Sequence, residues 1–212
     1  METTSRYNGP SGPDRGLSSV WTPANVVTCV RIAAIPLFMI FALGGPAAVG
    51  VPLSIERTGA FILYAALSLT DKLDGHLARS RDEITDFGKF LDPIADKLLV
   101  FAALLIFIEQ GTLSAWIVFV ILLREFLVSA LRMVASAEGI VIAADVLGKW
   151  KTAITMVAIC AYLLAEMLAA WMLPWTASVT FIADILMTLA VALTIASGIQ
   201  YFWSCRMIVF RV

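Results

Sequence analysis

Apolar residues in this chain run in long blocks separated by short polar interruptions. From residue 21 onward, six blocks approach the roughly 20 apolar residues that a helix needs to cross a bilayer. They lie at about 25–43, 58–79, 90–109, 113–137, 147–171 and 177–203, and the pattern predicts six transmembrane helices. Gly44-Gly45-Pro46, Gly111 and Pro174 fall between blocks, where helix-breaking residues belong. Trp21, Trp116, Trp171, Trp175 and Trp203 sit near block ends, as rings that favour the membrane–water interface do.

Residues 1–20 are rich in Ser, Thr, Gly and Pro and cannot bury a core, so a disordered tail is expected there. The first apolar block starts too late for an ordinary signal peptide and contains Arg31, so no cleavage is expected. No internal repeat is visible, and residues 21–212 read as one domain.

Composition agrees with the pattern. The 212 residues are 60% hydrophobic and 15% charged, with a mean hydropathy of +0.91, which excludes an ordinary cytosolic globule. A net charge of −1 lacks the basic footprint of a nucleic-acid binder, so no nucleic-acid partner is expected. Cys29, Cys160 and Cys205 have neither metal-ligand spacing nor a disulfide framework. The basic residues Arg6, Arg15, Arg79, Arg81, Lys89, Lys149, Lys151, Arg206 and Arg211 fall on one side of a six-span topology, and only Arg57 on the other. The positive-inside bias therefore puts both termini in the cytoplasm.

Charges inside membrane segments are costly, about 2.5–3.5 kcal/mol each on insertion scales, and mark function. Asp71 and Asp74 lie towards the cytoplasmic end of the second block, Asp92 and Asp96 at the cytoplasmic start of the third. A short hydrophilic loop joins the blocks, so a hairpin brings the pairs together. Spacings of i, i+3 and i, i+4 put each pair on one helix face. Four converging carboxylates repel one another unless a concentrated positive charge sits among them, and hard oxygen ligands select Mg²⁺, Mn²⁺ or Ca²⁺. Gly75, Ala78 and Gly88 place small residues near the carboxylates, which leaves room for a bulky ligand; close helix packing is the other use of such residues.

Read whole, Asp71-Lys-Leu-Asp74-Gly75-His-Leu-Ala78-Arg79, eight residues, then Gly88-Lys-Phe-Leu-Asp92-Pro-Ile-Ala-Asp96 resembles the CDP-alcohol phosphotransferase signature D-x2-D-G-x2-A-R-x8-G-x3-D-x3-D at every fixed position. Softer matches are Thr22–Arg31, Arg124-Glu125-Phe126-Leu127-Val128-Ser129 followed by Arg132, and Gly148-Lys149-Trp150-Lys151-Thr152. The Pro-Asn pair usual near the start is Pro23-Ala24-Asn25 here, a one-residue departure. Within the family the resemblance is to the bacterial branch whose acceptor is glycerol-3-phosphate.

That resemblance implies six transmembrane helices, an active site at the cytoplasmic side of the bacterial plasma membrane, a homodimer, and transfer of a phosphatidyl group from CDP-diacylglycerol to an alcohol with release of CMP. It further implies two divalent ions, Mg²⁺ or Mn²⁺: one held by Asp71, Asp74 and Asp92, the other by Asp71, Asp92 and Asp96, with Asp96 also the general base. Gly75, Ala78, Arg79 and Gly88 would surround the CDP moiety; an exposed cytoplasmic anchor is the other reading of Arg79.

Glycerol-3-phosphate needs a second anionic pocket. Arg124 and Arg132 lie within about a quadrant of one helix face, and arginine binds phosphate oxygens as a fork. Lys149 and Lys151 start the fifth block two residues apart, so they point to opposite faces and one of them reaches the ligand; Arg31 is a further candidate. A salt bridge from Arg124 to Glu125, and plain anchoring by Arg132, Lys149 and Lys151, are the structural alternatives. His76 reads as a rim residue, and Glu166 and Asp184, near the outer ends of their blocks, as interfacial or helix-pairing residues.

Two other functions stay open at this point. The same chemistry could use phosphatidylglycerol, as in cardiolipin synthesis, or inositol phosphate. A cation transporter could use the aspartates as an ion site, but such sites favour the bilayer midplane and internal repeats.

Overall fold

The computed structural model describes the backbone over residues 23–45, 50–81, 86–137 and 146–210, and side chains over 25–45, 50–70, 94–95, 97–135 and 146–203. The fold of the described residues is all-α, one helix per apolar block: α1 (Pro23–Ala42), α2 (Leu53–Arg81), α3 (Asp86–Glu109), α4 (Ala115–Ala137), α5 (Val146–Ala170) and α6 (Thr176–Phe210). The tail expected over residues 1–20 lies outside the described residues.

Element ends follow local chemistry. The second helix starts at Leu53, before the expected edge at 58, because the charged Glu56 and Arg57 interrupt an apolar count but not a helix. The N–H groups of Ile55 and Glu56 both donate to the Pro52 carbonyl, at 3.0 and 3.2 Å. Ser114 caps α4, its Oγ accepting from the Trp116 N–H at 3.3 Å. After α3 the chain turns at Gly111, φ 74°, where Thr112 N–H donates to Phe107 O and Gly111 N–H to Ile108 O. This is a Schellman closure, with glycine at the left-handed position. The end of α5 repeats it: Leu173 N–H donates to Leu168 O and Met172 N–H to Ala169 O. There a methionine, φ 53°, takes the left-handed place.

Among the described residues, three helices are long and apolar enough to cross a membrane: α1 over Asn25–Ala42, α5, and α6 over Thr176–Trp203, with mean hydropathies of 1.9, 2.0 and 2.2. The fourth helix carries Arg124, Glu125 and Arg132, and the second begins with Glu56 and Arg57, which lowers their apolar character. The outer surface is rich in large apolar side chains, among them Ile62, Leu105, Phe119, Phe181 and Ile199, as a surface that meets lipid tails would be.

The core lies mainly among α1, α2, α3 and α5, where Phe38, Tyr64, Leu104, Phe107, Ile159 and Leu163 are buried. Phe38 stacks obliquely on Tyr64 and Phe107 on Tyr162, with centroids 5.6 and 5.3 Å apart. The longest helix contact is α5 with α6; α1 packs on α2 and α3, α2 on α5, and α4 on α6.

Polar contacts show how the helices run. At one end, the Ala42 carbonyl accepts from Arg57 and from Gln110 Nε2, the latter at 2.9 Å, and Arg57 pairs with Glu166 at 3.0 Å. That end therefore gathers the C-termini of α1, α3 and α5 and the N-terminus of α2. The opposite end gathers the N-terminal parts of α3 and α5 with the C-terminal halves of α4 and α6, through Lys97–Ser129, Lys151–Glu125 and Arg132–Tyr201. Consecutive helices run in alternating directions.

Candidate active site

The aspartate string occupies the C-terminal part of α2 and the N-terminal part of α3, at the second of these ends. Helical backbone carries Asp71 and Asp74 at i, i+3 and Asp92 and Asp96 at i, i+4, and only residues 82–85 separate the two helices. The expected register is therefore present in the backbone. The side chains of Asp71, Asp74, Gly75, His76, Ala78, Arg79, Gly88, Asp92 and Asp96 lie outside the described residues.

Beside this string stands a buried charged network spanning three helices. On α4, Glu125 Oε1 accepts from the Lys151 ammonium of α5 and lies 3.4 Å from Arg124 Nη1. The Lys151 side chain is 4% exposed, Arg124 11% and Glu125 17%, so these charges are largely withdrawn from solvent and pairing is what makes them tolerable. From α3, Lys97 donates to Ser129 Oγ, and the Ser129 hydroxyl donates to the Glu125 main-chain carbonyl at 2.7 Å. Lys97, Glu125, Lys151, Thr152 and Thr155 line a small cavity of about 40 Å³, closed on its other side by Val100, Phe101 and Ile121. Space of that size and polarity suits a water molecule.

Two glycines confine Arg124. A Cβ on Gly148 of α5 would stand 3.3 Å from Arg124 Nη2, and one on Gly198 of α6 would stand 3.2 Å from its Cγ. The long side chain therefore passes through a slot that only small residues leave open. Its Nε is buried without a hydrogen-bond acceptor among the described residues.

The first helix adds a polar stripe. Asn25, Thr28 and Arg31, three residues apart, are buried at 3–4% exposure, and the same face continues into the apolar Ile35, Phe38 and Ala42. Arg31 is thus an inward-facing residue, and Asn25 is buried despite its shifted position in the opening motif. Thr28 was not singled out from sequence. Its signal is the three-residue polar spacing inside an apolar block.

The other basic candidates sit differently. Lys149 is exposed on α5. Arg132 is exposed too: its Nε donates to Tyr201 Oη at 3.2 Å, and its guanidinium carbon lies 5.5 Å from that ring's centroid. Neither is drawn into the Glu125 network. The Arg124–Glu125 pairing expected as the structural alternative is present, and Glu125 turns out to be the centre of the cluster. Glu166 pairs α5 with α2 through Arg57, and Asp184 accepts from Tyr162 Oη at 2.7 Å across α5 and α6. Both are helix-pairing residues.

Comparison with known proteins gives a consistent result. The sequence model of the family described as CDP-alcohol phosphatidyltransferase matches residues 21–196. A Bacillus subtilis (strain 168) protein named CDP-diacylglycerol–glycerol-3-phosphate 3-phosphatidyltransferase is 42% identical over 183 residues, covering 84% of this chain and 92% of its own. A Haemophilus influenzae protein of the same name is 37% identical over 181 residues, 82% of this chain and 88% of its own. A Mycobacterium tuberculosis protein named "Probable phosphatidylglycerophosphate synthase" is 34% identical over 191 residues, 90% of this chain and 85% of its own.

Proposed function

Because the chain belongs to the CDP-alcohol phosphatidyltransferase family, we propose that it transfers the phosphatidyl group of CDP-diacylglycerol to glycerol-3-phosphate, giving phosphatidylglycerophosphate and CMP. The observation that carries the choice of acceptor is the buried basic wall of Arg124 and Lys151 beside the aspartate helices. A phosphomonoester is the substrate group that such a wall recognises.

In this reading the acceptor hydroxyl oxygen bonds to the lipid-side phosphorus while the bond from that phosphorus to the CMP oxygen breaks. Asp96 accepts the hydroxyl proton. Asp71, Asp74, Asp92 and Asp96, an all-oxygen donor set on two helical registers, would hold two divalent ions, Mg²⁺ or Mn²⁺, whose charge offsets that of the pyrophosphate. Gly75, Ala78, Arg79 and Gly88 surround the CDP moiety. Arg124 and Lys151 hold the acceptor phosphate away from the pyrophosphate, Arg31 lies on the inner face of α1, and Arg132 and Lys149 stand at the rim.

The same reading extends to topology. Six spans, both termini in the cytoplasm and a cytoplasm-facing site in the bacterial plasma membrane are supported by the alternating helix directions and by the basic residues at the motif end. The enzyme works as a homodimer in the bilayer.

The test is CMP release from CDP-diacylglycerol by the detergent-solubilised protein with Mg²⁺ and a panel of acceptors. Release with glycerol-3-phosphate, lost on adding EDTA and abolished by Asp96→Asn, is the expected outcome. Release only with phosphatidylglycerol or inositol phosphate keeps the aspartate chemistry and discards the acceptor. Ion flux in proteoliposomes without CMP release overturns the enzyme reading.

A further inference from the structure

We propose that Glu125 is a positioning residue for the acceptor: it holds the Lys151 ammonium and the Arg124 guanidinium on one wall so that both face the acceptor phosphate. The inference rests on the reading above that the acceptor is a phosphomonoester.

Two observations carry it. First, one carboxylate oxygen, Oε1, meets cations from two helices, Lys151 of α5 and Arg124 of α4. The main-chain carbonyl of the same residue, through Ser129, reaches Lys97 of α3. Glu125 is thus the common point of three cations that the sequence scatters over 55 positions, from 97 to 151. Second, Arg124 is held rather than satisfied. Gly148 and Gly198 wall its side chain, while its buried Nε has no acceptor among the described residues. An arginine fixed in direction with a donor to spare is prepared for an anion.

A purely structural ion pair makes a different prediction: its loss would lower stability and disturb both substrates alike. The measurement is steady-state CMP release by the full-length protein in detergent, with KM for each substrate and kcat for Glu125→Gln, Glu125→Ala, Lys151→Met and the double variant Glu125→Ala/Lys151→Met. Glutamine keeps an acceptor oxygen for Lys151, so its KM for glycerol-3-phosphate should stay within about threefold of wild type. Alanine should raise that KM about tenfold and leave KM for CDP-diacylglycerol within about twofold. The double variant should be little worse than Lys151→Met alone, because the two residues act as one unit.

Equal changes in both KM values, additive effects, or an unmoved KM for glycerol-3-phosphate would overturn the assignment. Should Glu125→Ala fail to give a monodisperse protein, Glu125→Asp replaces it: one methylene shorter, it withdraws the carboxylate from Lys151 and should raise KM for glycerol-3-phosphate where glutamine does not. Wild-type protein that releases no CMP with glycerol-3-phosphate overturns the parent reading. Wild-type release with KM values indifferent to Glu125 overturns only this one.

Discussion

Lys149 and Lys151 differ by two positions and by nearly half a turn of α5. Their spacing alone implied that one of them turns inward, and the fold selects Lys151, which is buried against Glu125 while Lys149 is exposed. Lys151→Ala should therefore raise KM for glycerol-3-phosphate about tenfold and Lys149→Ala change it less than about twofold, read by CMP release at saturating CDP-diacylglycerol. The reverse order would move the acceptor wall to the other face of α5. Glu125 shows where residue-level reading stops. Next to Arg124 in sequence it reads as that arginine's local partner, and its bond to Lys151, 26 residues later, exists only once α4 and α5 pack. For the aspartates, the helical register of the backbone was legible, because it is encoded in short-range spacing.

Helices were legible for a related reason: a block of apolar residues without interruption has few other ways to satisfy its backbone in lipid. Their ends were less so. The extra turn of α2 contains Glu56 and Arg57, charged residues that a search for apolar runs discards and a helix accepts. Gly111 and Pro174 announced the ends of α3 and α5, but the closure after α5 has Met172 at the left-handed position, a residue type that gives no sign of it. A side chain there carries a steric cost that glycine avoids. Met172 is also 93% exposed, so truncating it removes almost no packing. Met172→Gly should raise stability by about 1 kcal/mol, seen as a higher midpoint of thermal unfolding in detergent. A midpoint that falls would show that the turn bears no such strain.

Across the described residues, the charged clusters gather at two ends with a mainly apolar body between. The end that carries the aspartate helices also carries Lys97, Arg124, Glu125, Lys151 and Arg132, and the other carries Arg57, Gln110 and Glu166. Reporter fusions test which end faces the cytoplasm. A fluorescent protein that folds only inside the cell should be bright after residue 212, and alkaline phosphatase, active only outside, should be active when fused after Thr112. Activity of the phosphatase at the C-terminus instead would invert the topology. The Ala42 carbonyl, where Arg57 and Gln110 converge, has a consequence for heredity. Every amino acid carries that oxygen, so no missense change at position 42 can delete the acceptor; a side chain larger than that of the fully buried Ala42 can only crowd its surroundings. Loss of one codon anywhere along α1 would swing the carbonyl by about 100° and release both donors. The acceptor of such a joint cannot be deleted by substitution, yet a shift of a single residue displaces it.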